Sequence, residues 1–391
     1  MEGDKRKILI VDDDTFLLDM YAFKFSQHNF EVYTASGGLQ VIEKLKDKLN
    51  PDIILMDIIM PDMDGFEMLE KINEDNLSPD STKIILTKED VVGILNEVLD
   101  KTKLNKFLES QEIDFSYDFR GEARLRGNAF FQKGLISVAF RLIPKVKSIA
   151  ELHLPPIIAE LARKKQGFFL VVGPVGQGKS TTLSAMINLI NNEQARHIVT
   201  IEDPIEYIYT PNKAMINQRE VGIDTKDFHT ALKSAFREDV NVIMVGEMRN
   251  PETISTAVTA AETGHLVLST LHTNNASQTI DRIIDSFPGD QQDQIRIELA
   301  SSLLGIFSQR LIPRITGGLI PAYELLLNND AVSNLIREKR TQEIDVVIET
   351  GMKSGMIDLN HSLLELVRAG EITIENAFQF SLNPKGLERT L

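Results

Sequence analysis

Cysteine and tryptophan are both absent from the 391 residues. Without a thiol there is no disulfide framework and no cysteine-held zinc or iron–sulfur site. Basic charge is scarce too: 42 Lys and Arg against 57 Asp and Glu leave a net charge of −15. A general nucleic-acid-binding surface needs a basic face, so no nucleic acid is expected as partner. No apolar run reaches the roughly 18 residues of a membrane span, so no transmembrane segment is expected. The first residues, MEGDKRKILIV, lack the apolar core of a cleavable signal, which makes a cytoplasmic protein the expectation. What is present, 42% hydrophobic and 25% charged residues, describes an ordinary globular chain long enough for two or three domains.

The charge is uneven. Residues 1–100 hold 22 Asp and Glu against 10 Lys and Arg, a net −12, so the front of the chain is an acidic unit of its own. Residues 7–102 alternate short apolar runs (KILIV, EVYTA, DIILM, KIILT) with amphipathic stretches ending in EDVVGILNEVLDK, a pattern that predicts α/β structure with a parallel, doubly wound sheet. From about 104 to 144 the pattern is β-rich, and Pro144, Pro155 and Pro156 punctuate a connection. GFFLVV then opens a second α/β unit running to about 285. The last hundred residues read as mostly helical, with a turn at Gly317 and Gly318.

GPVGQGKS, residues 173–180, fits the phosphate-binding pattern G-x-x-x-x-G-K-[ST] between a buried strand and a helix. Glycines let backbone N–H groups turn in on phosphate oxygens, and the following helix presents its positive end. The ATP-binding set is Gly173, Pro174, Val175, Gly176, Gln177, Gly178, Lys179, Ser180 and Thr181. Lys179 is expected on the β- and γ-phosphates and Ser180 on Mg²⁺. NVIMVGEMR places Glu247 at the carboxyl end of a buried strand, where an acid holds Mg²⁺ or its waters. TIEDPIEY ends another strand in acids: Glu206 is the candidate for polarising the attacking water, with Glu202 and Asp203 beside it. A solvated turn is the alternative for such a cluster.

GHLVLSTLHT sets His265 and His272 at the two ends of one extended run of about 23 Å, so they do not share a metal ion. Either is a satisfied polar histidine or, for His272 above all, a γ-phosphate sensor.

GPVGQGKSTTL, TIEDPIE, VGEMR and GHLVLSTLHT together resemble the secretion ATPase superfamily of type II secretion and type IV pili. NQREVG, ALKSAFRED, TAAETGH and AVSNLIREK resemble its twitching-motility (PilT-like) retraction branch. The resemblance, from about 104 to 391, implies a RecA-like ATPase domain with C-terminal helices over 151–391, and a partial N-terminal domain over 103–150. It implies a homo-hexameric ring using ATP and Mg²⁺, acting on an inner-membrane pilus platform protein and peripheral to that membrane. It also implies that Arg124 and Arg126 complete a nucleotide site, with Arg219 and Arg237 as further candidates; surface ion pairs are the alternative for each. Pilus-extension and secretion relatives usually carry a four-cysteine zinc loop, absent here, which favours retraction over extension or type II secretion.

In the front unit, VDDD puts Asp12 and Asp13 after the first strand and ILMD puts Asp57 at the end of the third. In a doubly wound sheet these ends meet at the topological switch point. Gathered carboxylates there suit Mg²⁺, and a carboxylate can serve as nucleophile for an aspartyl-phosphate. VDDD, ILMDIIMPDMDG and IILT resemble a flavodoxin-like response-regulator receiver over 1–102. The resemblance implies Asp57 as phosphoacceptor, Asp12, Asp13 and Asp57 on Mg²⁺, Thr87 as switch hydroxyl and a histidine kinase as partner. After Thr87 the chain passes straight to EDVVGILNEVLDK, which resembles the last receiver helix; one helix and one strand of the pattern are missing. The expectation is a Mg²⁺-dependent ATPase motor for pilus retraction, modulated by an attached receiver. A non-catalytic, nucleotide-binding, phospho-responsive adaptor is the alternative from another class.

Overall fold

Apolar β-branched runs separated by glycine, proline and acidic turns build three sheets in a computed structural model of the chain. The structure describes all residues except 1–5, 14–17, 19–20, 23–24, 27–29, 48, 57–59, 61–62, 79–81, 85–87, 120–122, 133, 144, 249 and 391. The chain divides into two units, Met1–Leu142 and Ile143–Leu391.

The first unit holds two sheets. Strands β1 (Arg6–Val11), β2 (Phe30–Ala35), β3 (Ile53–Met56) and β4 (Thr82–Ile84) form one in the order β2-β1-β3-β4, all parallel. This is the doubly wound arrangement expected from the alternating pattern. Leu9, Val11, Ile54 and Met56 face Val41, Ile42, Met68 and Ile72 of the helices Gly38–Lys46 and Gly65–Glu74. Strands β5 (Glu112–Phe119), β6 (Ala123–Gln132) and β7 (Leu135–Ile143) form the second sheet, with β5 antiparallel to β6.

Two helices lie between these sheets in sequence, Lys88–Val98 and Lys101–Ser110. The second occupies residues assigned from sequence to the β-rich stretch. Asp100 starts it by accepting a hydrogen bond from the Lys103 amide at 2.8 Å, and Gln111 ends it in the left-handed region (φ 62°). Leu95 and Leu99 are buried in one apolar cluster with Phe107, Ile113, Phe115 and Ala129.

The second unit is built on seven strands in the order β10-β9-β11-β12-β8-β13-β14, where β8 is Gly167–Val172, β9 His197–Glu202, β10 Met215–Glu220, β11 Val242–Val245, β12 Leu266–Leu271, β13 Leu303–Pro313 and β14 Leu319–Leu327. All pairs are parallel except β13 with β14. Successive residues of β8 enter opposite cores: Phe168, Leu170 and Val172 join one cluster, Phe169 and Val171 the other. A strand buried on both faces needs the continuous apolar run seen in GFFLVV. The expectation of a mostly helical last hundred residues is corrected for 303–327, which form a β-hairpin. LLGIFSQRLIP, apolar on both sides of one polar triplet, has no period that separates strand from buried helix. Gly317 and Gly318 (φ 88° and 78°) supply the positive φ of its turn. Helices do follow, from Asp330 to Thr390.

Candidate active site

Four parallel strands end on one edge of the seven-stranded sheet, and each delivers a candidate side chain. β8 leads into the 173–180 loop, β9 ends in Glu202, β11 is followed by Glu247 and β12 by His272. Parallel order forces this convergence, because every carboxyl end points the same way.

The loop at 173–180 is held in a shape only glycine allows at its tightest points. A Cβ on Gly173 (φ 146°) would stand 2.5 Å from the Gln309 carbonyl oxygen, and one on Gly178 (φ 77°) 2.9 Å from Gln309 Nε2. Lys179 opens the helix Lys179–Glu193 and is buried. Its ammonium donates to the carbonyls of Gly173 (2.9 Å) and Pro174 (2.8 Å) and meets His272 Nδ1 at 3.2 Å. Burial pulls the Lys179 pKa down, while the carboxylates of Glu247 and then Glu206 pull it back up. An ammonium has no lone pair, so with Lys179 charged His272 Nδ1 is the acceptor, and Nε2 is the nitrogen turned the other way. That nitrogen lies 3.5 Å from Glu247 Oε1. Lys179, His272 and Glu247 thus form one chain of contacts across three strand ends.

Glu202 is buried rather than aimed outward. Its Oε1 accepts from Thr200 Oγ1 (2.7 Å) and Gln218 Nε2 (3.3 Å), and its Oε2 from the Glu206 amide (3.2 Å). Burial raises its pKa, with the Thr200 bond acting most strongly against that. Glu220 accepts from the Ile205 amide at 3.1 Å, so two acids pin the turn that carries exposed Asp203 and Glu206. Tyr207 OH lies 2.7 Å from Thr181 Oγ1, joining this turn to the phosphate loop's helix.

The other candidates sit apart from this chain of contacts. His265 Nδ1 lies 3.0 Å from the Ala260 carbonyl at the end of the helix Pro251–Glu262, and the ring meets Phe236 edge-on at 5.5 Å. Arg219 pairs with Glu238 at 3.3 Å, and Arg237 is exposed in the adjoining turn. Arg124 and Arg126 lie on β6 of the first unit; Arg126 is half-buried. Asp12 and Asp13 follow β1, with the Asp12 amide donating to the Ala35 carbonyl at 3.2 Å. Asp57 and Thr87 lie outside the described residues.

Sequence reasoning did not single out Tyr207 for this site, nor Ser308, Gln309 and Arg310 of β13. The available signal was a polar triplet inside an otherwise apolar run, LLGIFSQRLIP. All three are buried.

The sequence profile of the Type II/IV secretion system protein family matches residues 145–343, and that of the response regulator receiver domain matches 8–110. The chain belongs to the Type II/IV secretion system protein family. Within this family it is 45% identical over 304 residues to a twitching motility protein of Neisseria gonorrhoeae, covering 77% of this chain and 81% of that one. To the type IV pilus retraction ATPase PilT of Pseudomonas aeruginosa it is 44% identical, covering 75% and 85%. The crystal structure of a pilus retraction motor PilT with bound ADP superposes with a TM-score of 0.73 at 47% identity, over 77% of this chain and 86% of that one. This secretion-family chain is an ATPase.

Proposed function

We propose that the chain hydrolyses ATP to drive retraction of a type IV pilus, as one subunit of a homo-hexameric ring on the cytoplasmic side of the inner membrane. The observation that carries this reading is the Lys179–His272–Glu247 chain of contacts, set at the sheet edge of a protein that spans four fifths of a twitching relative. Among the described residues no helix is long and apolar enough to cross a membrane. Attachment would then run through a partner, the platform protein at the pilus base.

In this reading Lys179 exchanges the Gly173 and Pro174 carbonyls for β- and γ-phosphate oxygens when nucleotide arrives. His272 leaves Lys179 for the γ-phosphate. Glu206, on the turn that Glu202 and Glu220 fix, orients and polarises the attacking water. The hydroxyl of Ser180 and the carboxylate of Glu247 are hard oxygen donors that fit Mg²⁺, which would neutralise developing phosphate charge when bound. Arg124 and Arg126, with Arg219 and Arg237 as further candidates, complete a site within the ring. Arginines so placed are worth about 10³–10⁵ in rate in other phosphate-loop enzymes.

The receiver segment adds a second proposal. Asp57 accepts a phosphoryl group from a histidine kinase, Asp12, Asp13 and Asp57 are the carboxylates that would hold Mg²⁺ to neutralise its charge, Thr87 senses the product, and the ring's turnover changes in response. One assay tests both. Steady-state ATP hydrolysis falls at least about a hundredfold in Lys179→Ala and Glu247→Gln on the motor reading; equal rates in all three proteins support the adaptor instead. A small-molecule phosphodonor shifts the wild-type rate and leaves Asp57→Ala unmoved. No shift in either ends the receiver proposal alone.

Domain limits follow packing in this account. Because Leu95 and Leu99 share a core with Phe107 and the second sheet, we place the front of the ATPase near Lys88, not at 103. The match of 304 residues to the gonococcal protein is longer than the stretch from 103 to 391, which supports that placement.

A further inference from the structure

Buried polar side chains in the middle of a β-strand cost free energy unless every one is satisfied. Strand β13 carries three in a row, Ser308, Gln309 and Arg310, each no more than 6% exposed. Their partners lie in the phosphate loop, in the first turn of the helix that follows it and in the loop after His272.

Gln309 grips the phosphate loop on either side of Gly178. Its Oε1 accepts from Thr182 Oγ1 at 2.6 Å, and its Nε2 donates to the Gln177 carbonyl at 2.7 Å. Gln177 returns the contact, its Oε1 accepting from the Leu311 amide at 2.6 Å. Thr182 is 1% exposed, so its hydroxyl has no water to fall back on. Side chains alternate along a strand, and the neighbours of Gln309 point the other way. Ser308 Oγ donates to the Asn274 carbonyl at 2.7 Å, and Arg310 Nη2 to Asn274 Oδ1 at 2.9 Å. Asn274 stands two residues beyond His272. Opposite Ser308 on β14, Glu324 accepts at 2.7 Å from the amide of Ala276, which opens the helix that follows this loop.

We propose that Gln309 is a positioning residue for phosphate binding: through Thr182 and Gln177 it fixes the phosphate loop, while the other face of β13 fixes the loop of His272. A single strand thereby sets the separation between Lys179 and the histidine that faces it. The proposal rests on the 173–180 loop being the phosphate site, which loss of ADP binding in Lys179→Ala establishes separately.

Binding of a fluorescent ADP at equilibrium, with heat denaturation of the nucleotide-free protein alongside, is the test. Gln309→Met keeps the length of the side chain and removes both hydrogen bonds. Thr182→Val removes one hydroxyl, and Thr182→Ser keeps it. On the proposal, Gln309→Met and Thr182→Val each weaken ADP about tenfold, or about 1.4 kcal/mol. The double variant is no weaker than the worse single one, and Thr182→Ser binds within about twofold of wild type. Affinities within about twofold of wild type in both single variants, whatever their melting temperatures, overturn it, as do losses that add in the double variant. If Gln309→Met does not fold, the Thr182 pair decides alone.

Discussion

Glu324 is the one acid of the β13–β14 hairpin. Burial pushes its carboxyl up to about 7, and the Ala276 amide and Arg310 oppose that while Asp345 and Asp358 reinforce it. A raised acid keeps its proton in the folded state after the unfolded chain has lost it. Stability therefore falls as pH rises from the ordinary carboxylate range through about 7, and is level above. Glu324→Gln keeps an acceptor for Ala276 and removes the titration. Its melting temperature is expected to overtake that of wild type as pH goes from 5 to 8; a constant difference across that range contradicts the burial argument. Legibility at this scale divides by how far a role depends on remote partners. Lys179, Ser180 and Glu247 could be named as candidates from sequence because each sits in a local motif, and the structure joins Lys179 to Glu247 through His272. Gln309 could not, since it acts on Gln177, 132 residues away in the chain.

The helices and strands show the same division. Parallel strands and the strand–loop–helix at 167–193 follow from period and glycine spacing, and the fold has them in place. Two elements did not follow, the hairpin of β13 and β14 and the helix Lys101–Ser110. The hairpin of β13 and β14 hid inside an apolar run, and its register becomes readable only when β8 and β14 are there to pair with it. EDVVGILNEVLDK carries a helical period that says nothing about which sheet it covers; its core partners decide that. Leu95, 1% exposed, is the residue to ask. Leu95→Ala should cost about 3 kcal/mol. Amide exchange should quicken at Ile113, Phe115 and Ala129 and stay slow at Ile8 to Val11. The reverse pattern returns the helix to the acidic sheet.

At the scale of the whole molecule, two profiles meet in one chain, a receiver match over 8–110 and a secretion match over 145–343, and the packing of Leu95 and Leu99 moves the boundary we propose between them back to about Lys88. Composition announced this division through the acidic front hundred residues. It was silent on assembly, because contacts between subunits would depend on surfaces and not on any local pattern. The absence of cysteine is the whole-chain feature that favours retraction over extension, and the twitching relatives agree with it. The most direct measurement is therefore made on cells. Deleting the gene for this chain should leave hyperpiliated cells whose pili do not retract, restored by the wild-type chain and not by Glu247→Gln. Cells left without pili, or restored equally by Glu247→Gln, would contradict an ATP-driven retraction motor.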